Sequence, residues 1–191
     1  MRPTAMRHIA DHGRGWLRDR RGGVLIEFIF ALPILVVVVI GSVDVARYVL
    51  LNQKMDRAAS TMADLVSRPD TISQAQIDVM FAAAEDLLTP FDMGAQGRVI
   101  MSSVSKTSGN PARVDWQHEN LGGLSHSSNV GAPGNDANLP SGFTVSDGEN
   151  LIVAEVFFNY EPIFFDYLLE SKVLGHTALR RPRRGDLSTL N

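Results

Sequence analysis

The feature that most constrains the fold is a long apolar run near the N-terminus. No charged residue occurs between Phe28 and Val43, and counted from Gly23 the apolar stretch reaches about 21 residues. At about 1.5 Å of rise per residue, a helix of that length measures about 31 Å, which matches the hydrocarbon core of a bilayer. The run therefore predicts a helix that crosses a membrane once.

The charges on either side of this run predict its orientation. Residues 1–22 contain six arginines and two aspartates, a net charge of about +4 by count, although the whole chain of 191 residues has a formal net charge of −3. Only Arg47 follows the run closely. Because positive loops stay in the cytoplasm, we expect a cytoplasmic basic leader at 1–22, a transmembrane helix at 23–47 and a periplasmic remainder.

A single carboxylate, Glu27, lies inside the apolar run, and three hypotheses account for it. In an ordinary signal anchor, Glu27 lies near the cytoplasmic boundary and reaches the headgroups. In a cleaved secretory signal, the only small-residue pair near the end of the run is Val39 and Gly41. In the third hypothesis a peptidase cuts between Gly22 and Gly23, so Glu27 becomes the fifth residue of the mature chain. This pattern resembles type IV prepilins, and we favour it.

The prepilin resemblance also implies a partner for the acid. A carboxylate inside a membrane helix costs about 3 kcal/mol on insertion scales, so it persists best where a cation meets it. Cleavage before Gly23 would create a new α-amine. In pilin-like assemblies that amine, on a neighbouring subunit, is the partner of Glu27, and the pair sets the axial register between helices.

Several residue pairs make the resemblance more specific. Residues 20–66 resemble the TadE, TadF and TadG group of minor pseudopilins from the tight-adherence (Tad) pilus. A looser similarity covers residues 158–162 and 174–180, near the end of the chain. The N-terminal pairs lie at the cleavage site, inside the span and at its exit, and they are Arg21 with Gly22, Glu27 with Phe28, Leu32 with Pro33, and Asp44 with Arg47.

This resemblance implies a part in pilus assembly. It implies processing at a site made by Gly22, Gly23, Glu27 and Phe28, and lateral retention in the inner membrane. It further implies that the protein primes or caps polymerisation of the major pilin and supports surface adherence and biofilm formation. The implied partners are the major Tad/Flp pilin, other minor pseudopilins, the prepilin peptidase, the inner-membrane platform proteins and the assembly ATPase. The span residues are Phe28, Leu32, Pro33 and Val43.

The helix is expected to continue past the membrane as a periplasmic stem over residues 48–68. Apolar residues recur there at alternating spacings of three and four, which indicates one apolar helix face. That face either packs on the protein's own domain or forms a seam with other pilus subunits. Pro69 ends the stem, because the residue before a proline avoids helical geometry. The face consists of Tyr48, Leu51, Met55, Ala58, Met62 and Leu65.

A second helix is predicted over residues 73–88. Ser73 provides an N-cap, Gln76 reaches back to complete a capping box, and Ile72 staples onto Ile77. Its apolar face indicates a scaffold element of the domain.

Alternating apolar and polar residues after position 97 predict four strands, paired antiparallel, at 98–106, 112–117, 150–160 and 172–180. Residues 121–142 are so rich in Gly, Ser, Asn and Pro that we expect a flexible surface loop that buries no core. The predicted fold class is α+β: a pilin-like long N-terminal transmembrane helix, then a periplasmic domain at 69–191 with a second helix and about four antiparallel strands.

Chemistry for catalysis is not evident in the sequence. His118 and His126 have no third ligand at a metal-binding spacing, so we expect solvated histidines. No nucleophile lies beside an evident base, and we expect no cofactor, no metal and no enzymatic activity. Four arginines between residues 180 and 184 predict a solvated tail or a contact with an acidic surface, not a nucleic-acid site. The alternative function is a signal-anchored periplasmic binding protein, or an enzyme, unrelated to pili.

Overall fold

The computed structural model describes residues 21–120, 122–164 and 171–191. The chain divides into two units, Met1–Asp44 and Val45–Asn191, and helix α1, Arg21–Val66, passes from the first into the second. Of the predicted basic leader, residues 1–20 lie outside the described part of the chain.

Helix α1 is one element of 46 residues that includes Pro33. By length and composition it can cross a membrane, and none of its most apolar window is buried within the protein. The helix ends at Val66, three residues before Pro69. The predicted long N-terminal apolar helix is therefore confirmed.

The second unit holds a four-stranded sheet with the strand order β2-β1-β3-β4, and every neighbouring pair is antiparallel. The predicted α+β class is therefore confirmed. One element was not predicted, a single turn of helix that Asp92 caps by accepting a hydrogen bond from the backbone N–H of Ala95 at 3.0 Å. The elements that follow α1 are α2 Gln74–Leu88, α3 Met93–Gln96, β1 Gly97–Ser105, β2 Arg113–Glu119, β3 Asn150–Tyr160 and β4 Lys172–Arg180.

The N-terminus of α2 forms as the sequence predicts. The backbone N–H of Gln76 donates to the Ser73 hydroxyl, and the Gln76 side-chain oxygen accepts from the backbone N–H of Ser73 at 2.9 Å. This reciprocal pair satisfies two amides that a helix start otherwise leaves without partners. Ile72 and Ile77 are both buried in the same core cluster.

The main core lies between the helices and one face of the sheet. It combines the buried face of α1 after residue 50 with α2 and with alternate residues of the strands. Strand β3 supplies the largest strand share because it is central and alternates its side chains between two covered faces. The β3 residues on this face are Ile152, Ala154, Val156, Phe158 and Tyr160.

The other face of the sheet is covered by the connection between β2 and β3. Val130 from this connection is 1% exposed and joins Val104, Val114 and Val153 in a second apolar cluster. Two backbone amides of the connection, those of Gly134 and Ala137, donate at 2.7 Å to the carbonyls of Val114 in β2 and of Ala112 just before it. The expectation that residues 121–142 bury no core is therefore wrong, because Val130 is buried in this cluster and Ala137 and Leu139 pack against it.

The segment after β4 folds back onto the second unit. Leu187 is fully buried, and its carbonyl accepts a hydrogen bond from the Trp116 indole at 2.7 Å. The backbone N–H of Asn191 donates to the Ile72 carbonyl at 3.1 Å. The four arginines at 180–184 are exposed, as expected, and Arg183 lies 3.1 Å from the Asp64 carboxylate. The residues that follow them are the part that packs on the domain.

Candidate functional site

The predicted processing site occupies the first turns of α1. Gly22 and Gly23 belong to the first turn, and Glu27 and Phe28 follow one turn later. A Cβ atom built on Gly23 would meet no heavy atom within 4 Å. Glu27 is exposed within this chain, and Phe28 is 63% exposed. These groups are therefore accessible to a protease, a lipid or a second subunit.

The remaining predicted span residues have the same environment as Phe28. Leu32 is 47% exposed and Val43 is 43% exposed, and Pro33 is also exposed. A helix that is apolar on all sides and covered on none needs an apolar environment outside itself. In that environment Glu27 is the only charged side chain between Gly22 and Val43.

The stem part of α1 turns one face into the core of the second unit. Leu51, Met55 and Met62 are fully buried, whereas Leu65 is half-buried and Tyr48 is 40% exposed. The buried face is wider than the predicted stripe. The additional buried residues are Ala59, Ala63 and Val66.

Aromatic side chains gather where the stem begins. The ring of Tyr48 meets that of Tyr160 edge-on, with 5.4 Å between centroids. The Arg47 guanidinium lies 5.5 Å from the centroid of Phe91, whose ring meets Phe158 edge-on at 5.9 Å. Sequence analysis missed this grouping. Its members come from the stem, the segment after α2 and strand β3, which are far apart in the chain.

A buried carboxylate holds the connection between β2 and β3 on the sheet. Glu155 of β3 is fully buried and accepts hydrogen bonds from the Ser128 hydroxyl and from the backbone N–H of Asn129 at 3.0 Å. Burial raises the pKa of Glu155, an effect that the two hydrogen bonds and the nearby His126 partly offset. The arrangement anchors a loop and presents no reacting atom to solvent.

The two histidines that sequence analysis expects to be solvated are both half-buried, so that expectation is wrong. His118 stacks on Phe81 and lies 2.7 Å from the Asp78 carboxylate. His126 stacks on Phe157 with 4.0 Å between ring centroids. Within the described ranges, no group of three His, Asp or Glu side chains is placed to hold a metal ion.

The comparisons with known proteins locate the resemblance in one part of the chain. Residues 22–64 match the TadE-like protein family. The N-terminal resemblance is thereby confirmed, and it covers the candidate processing site, the apolar span and all but the last two residues of the stem helix. The looser similarity at residues 158–162 and 174–180 lies outside the match and stays a prediction. No match was found among curated proteins or among solved structures.

The TadE-like segment, residues 22–64, implies a function associated with the Tad pilus. Proteins of this family are generally structural components of that system. The segment contains both environments of α1, the uncovered apolar part and the buried stem.

Proposed function

We propose that this protein is a minor pseudopilin of the Tad pilus, acting by association with other subunits in and above the inner membrane. In this proposal residues 1–22 are a cytoplasmic leader that a prepilin peptidase removes before Gly23. Residues 23–47 span the inner membrane, residues 48–68 form the periplasmic stem, and residues 69–191 form the periplasmic domain. The role is structural and requires no cofactor.

The observation that carries the proposal is the position of Glu27 inside the TadE-like segment. The segment begins at Gly22, the residue before the proposed cut, so the proposed mature N-terminus and Glu27 lie one helical turn apart. An uncovered acid on an apolar helix is costly in lipid unless a cation pairs with it. The α-amine freed on a neighbouring subunit supplies that cation.

The remaining parts of the proposal follow from this pairing. Glu27 would align the protein with the major Tad/Flp pilin or another minor pseudopilin while both are still in the membrane. Platform proteins and the assembly ATPase would then draw the aligned subunits upward. The protein would prime or cap polymerisation and so support surface adherence, and the sheet domain would provide contact specificity outside the membrane.

The experiment replaces Glu27 with a neutral side chain of the same shape. Glu27→Gln is expected to leave membrane insertion intact and to lower pilus number by about tenfold, the factor that corresponds to about 1.4 kcal/mol of lost association free energy. Pili are counted by electron microscopy in cells whose own copy has been deleted, with protein levels in membrane fractions measured alongside.

Ser42→Ala is the matched control for this experiment. Ser42 is the other polar residue of the apolar run, and its hydroxyl is already satisfied by the Val39 carbonyl of the same helix at 2.7 Å. Its removal should leave piliation unchanged. Normal piliation with Glu27→Gln at normal protein level would remove the role given to the acid and favour an anchored periplasmic protein unrelated to pili.

A further inference from the structure

The carboxylate of Glu155 is fully buried and bonded to neutral groups. Its side chain is 0% exposed, and within the described part of the chain its hydrogen bonds come from the Ser128 hydroxyl and from the backbone N–H of Asn129 at 3.0 Å. Burying a charged carboxylate is costly unless a cation pairs with it, whereas burying the neutral acid costs far less. The closed arrangement is therefore most stable when Glu155 carries a proton.

The charged groups that face Glu155 come from the connection, from β1 and from β2. A protonated His126, in the connection, stabilises the carboxylate, and this charge is lost as the pH rises. Arg98 of β1 lies on the same face of the sheet but is held by Glu119 of β2, with 3.1 Å between its Nε atom and the carboxylate. Strand β4 places the uncharged Thr177 beside Glu155. The one neighbouring cation that pH can remove is therefore His126, among the described residues.

The buried carboxylate holds a short segment that is fixed independently on both sides. We call residues 126–129 the latch segment. Before it, the Leu124 carbonyl accepts a hydrogen bond from the Arg98 guanidinium at 3.1 Å. After it, the Gly131 carbonyl accepts from the side-chain amide of Gln117 at 2.7 Å. Neither bond involves the buried carboxylate, so the latch segment can leave the sheet while its two flanks stay attached.

A cavity of about 290 Å³ lies beside the latch segment. Asn129, Asn138 and Thr177 line it together with Glu155. In the closed arrangement Glu155 itself has no exposed surface, so water in the cavity does not reach its carboxylate. Movement of Ser128 and Asn129 away from the sheet would open the carboxylate to that water.

We propose that the latch segment is a pH-operated latch, closed on the sheet while Glu155 is neutral and released when Glu155 is ionised and His126 is uncharged. Burial raises the pKa of Glu155, so the neutral form persists to higher pH than in an exposed glutamate. At higher pH the closed latch holds a buried charge, whereas the open latch hydrates it. Release therefore increases as the pH rises, and it uncovers the ring of Phe157, on which His126 stacks. The latch lies wholly within the second unit and does not depend on the proposed pilus function.

Hydrogen exchange of single amides tests the latch, measured on the full chain in detergent micelles at pH 4 and pH 8. Each rate is divided by the intrinsic exchange rate at the same pH, so that a change reports opening of the structure. The amides to follow are those of Asn129, which donates to Glu155, and Val130, which donates to the Ser128 hydroxyl at 3.1 Å. Their protection should fall by about tenfold from pH 4 to pH 8, which corresponds to about 1.4 kcal/mol of local opening free energy.

Other amides of the same sample separate local release from general loosening. The N–H of Gly134 donates to the Val114 carbonyl beyond the latch segment, and it should keep its protection at both pH values. Amides in the middle of β3 should do the same. Loss of protection at all of these positions together would show that the whole unit loosens, which overturns a local latch. Equal protection of Asn129 and Val130 at pH 4 and pH 8 would also overturn it.

Glu155→Gln replaces the acid with a group of the same shape that is neutral at every pH. Its oxygen can accept from Asn129 and its amide can donate to the Ser128 hydroxyl, so protection of Asn129 should be the same at pH 4 and pH 8. Asp115→Asn is the matched control, because Asp115 is a half-buried carboxylate of β2 that accepts from two serines of β1, and burial raises its pKa too. This control should keep the pH dependence of the wild type.

A pH dependence that survives in Glu155→Gln would overturn the assignment of the latch to this acid. If that variant does not fold, which circular dichroism would show, His126→Phe takes its place. The new ring can still stack on Phe157 but carries no charge, so the loss of protection should be complete at a lower pH than in the wild type. An unchanged pH profile in His126→Phe would overturn the proposal.

Discussion

The two parts of helix α1 belong to one continuous helix but differ in how their apolar side chains are covered. From Val24 to Val43 the side chains other than those of Glu27 and Ser42 are apolar, and almost all are exposed, whereas from Leu51 to Val66 one face is fully buried and the other is polar. A helix that is apolar on one face has a protein partner, and a helix that is apolar all round needs an apolar solvent. The periodicity of a helix therefore indicates its environment more directly than its total apolar content.

The largest effect is expected when a substitution in the buried stem is compared with one in the exposed apolar part, by the free energy of unfolding that each removes. Met55→Ala removes a fully buried side chain and should lower the free energy of unfolding by about 2–5 kcal/mol, because it leaves a cavity in the core. Val37→Ala, at a position 55% exposed in the apolar part, should change it by less than about 0.5 kcal/mol. Denaturant unfolding of the full chain in mild detergent, followed by Trp116 fluorescence in a Trp16→Phe background, measures both. Equal losses would contradict the division of α1.

The capping box of α2 tests whether the second unit unfolds as a whole. Ser73→Ala removes the hydroxyl that accepts from the backbone N–H of Gln76, and should cost about 1 kcal/mol in the same assay. Ser125→Ala, at an exposed serine outside any helix, is the control and should cost nothing measurable. A loss of α2 helicity without a change in Trp116 unfolding would show that α2 is not part of the core that Trp116 reports.

The buried carboxylate of the second unit should give that unit a characteristic pH dependence. Because burial raises the pKa of Glu155 above its usual value of 4.5, the folded state holds the proton more tightly than the unfolded state. Stability from this group is present below pH 4.5 and is lost as the pH rises through the raised pKa. The free energy of unfolding of the wild type minus that of Glu155→Gln should therefore be larger at pH 4 than at pH 8. A difference that grows with pH would contradict the assignment.

The smallest effect is expected at the exposed ion pairs near the end of the stem. Arg68 bonds to the Asp64 carboxylate and holds the pKa of Asp64 below its usual range, and Arg183 adds to this effect. Surface pairs contribute little because water and salt screen them. Arg68→Ala should therefore destabilise the protein less than Ser73→Ala, and 0.5 M salt should remove the difference from wild type. A large, salt-resistant loss would show that the end of the stem is more rigidly held than its exposure indicates.

Local rules account for the elements that the sequence predicts well. The capping box of Ser73 and Gln76 joins residues only three apart, so it depends on the local sequence and not on the rest of the fold. The strands β3 and β4 match their predicted ranges, 150–160 and 172–180, because alternation and flanking turn residues mark both ends. Gly109 and Gly148, in the connections that precede β2 and β3, have φ near 80°, which residues with a side chain rarely adopt.

Long-range packing accounts for what the sequence does not predict. Val130 lies between Asn129 and Gly131 in a stretch rich in polar residues, and nothing local indicates that it meets β1 and β3. Glu155 sits within an apolar strand, and its donors are 26 and 27 residues earlier in the chain. For the candidate site, Glu27 was predictable because an acid in an apolar run is unusual. The contact between Tyr48 and Tyr160 was not, because these two residues lie more than a hundred residues apart in the chain.

The central claim is that the uncovered part of α1 begins at a terminus made by proteolysis and joins other subunits through Glu27. Intact-mass and N-terminal sequence measurements on protein extracted from membranes, with and without an active prepilin peptidase, test this most directly. The account predicts a chain that starts at Gly23 when the peptidase is active and at Met1 when it is not. A chain that still starts at Met1 in cells building pili, or one that starts after Gly41, would contradict it.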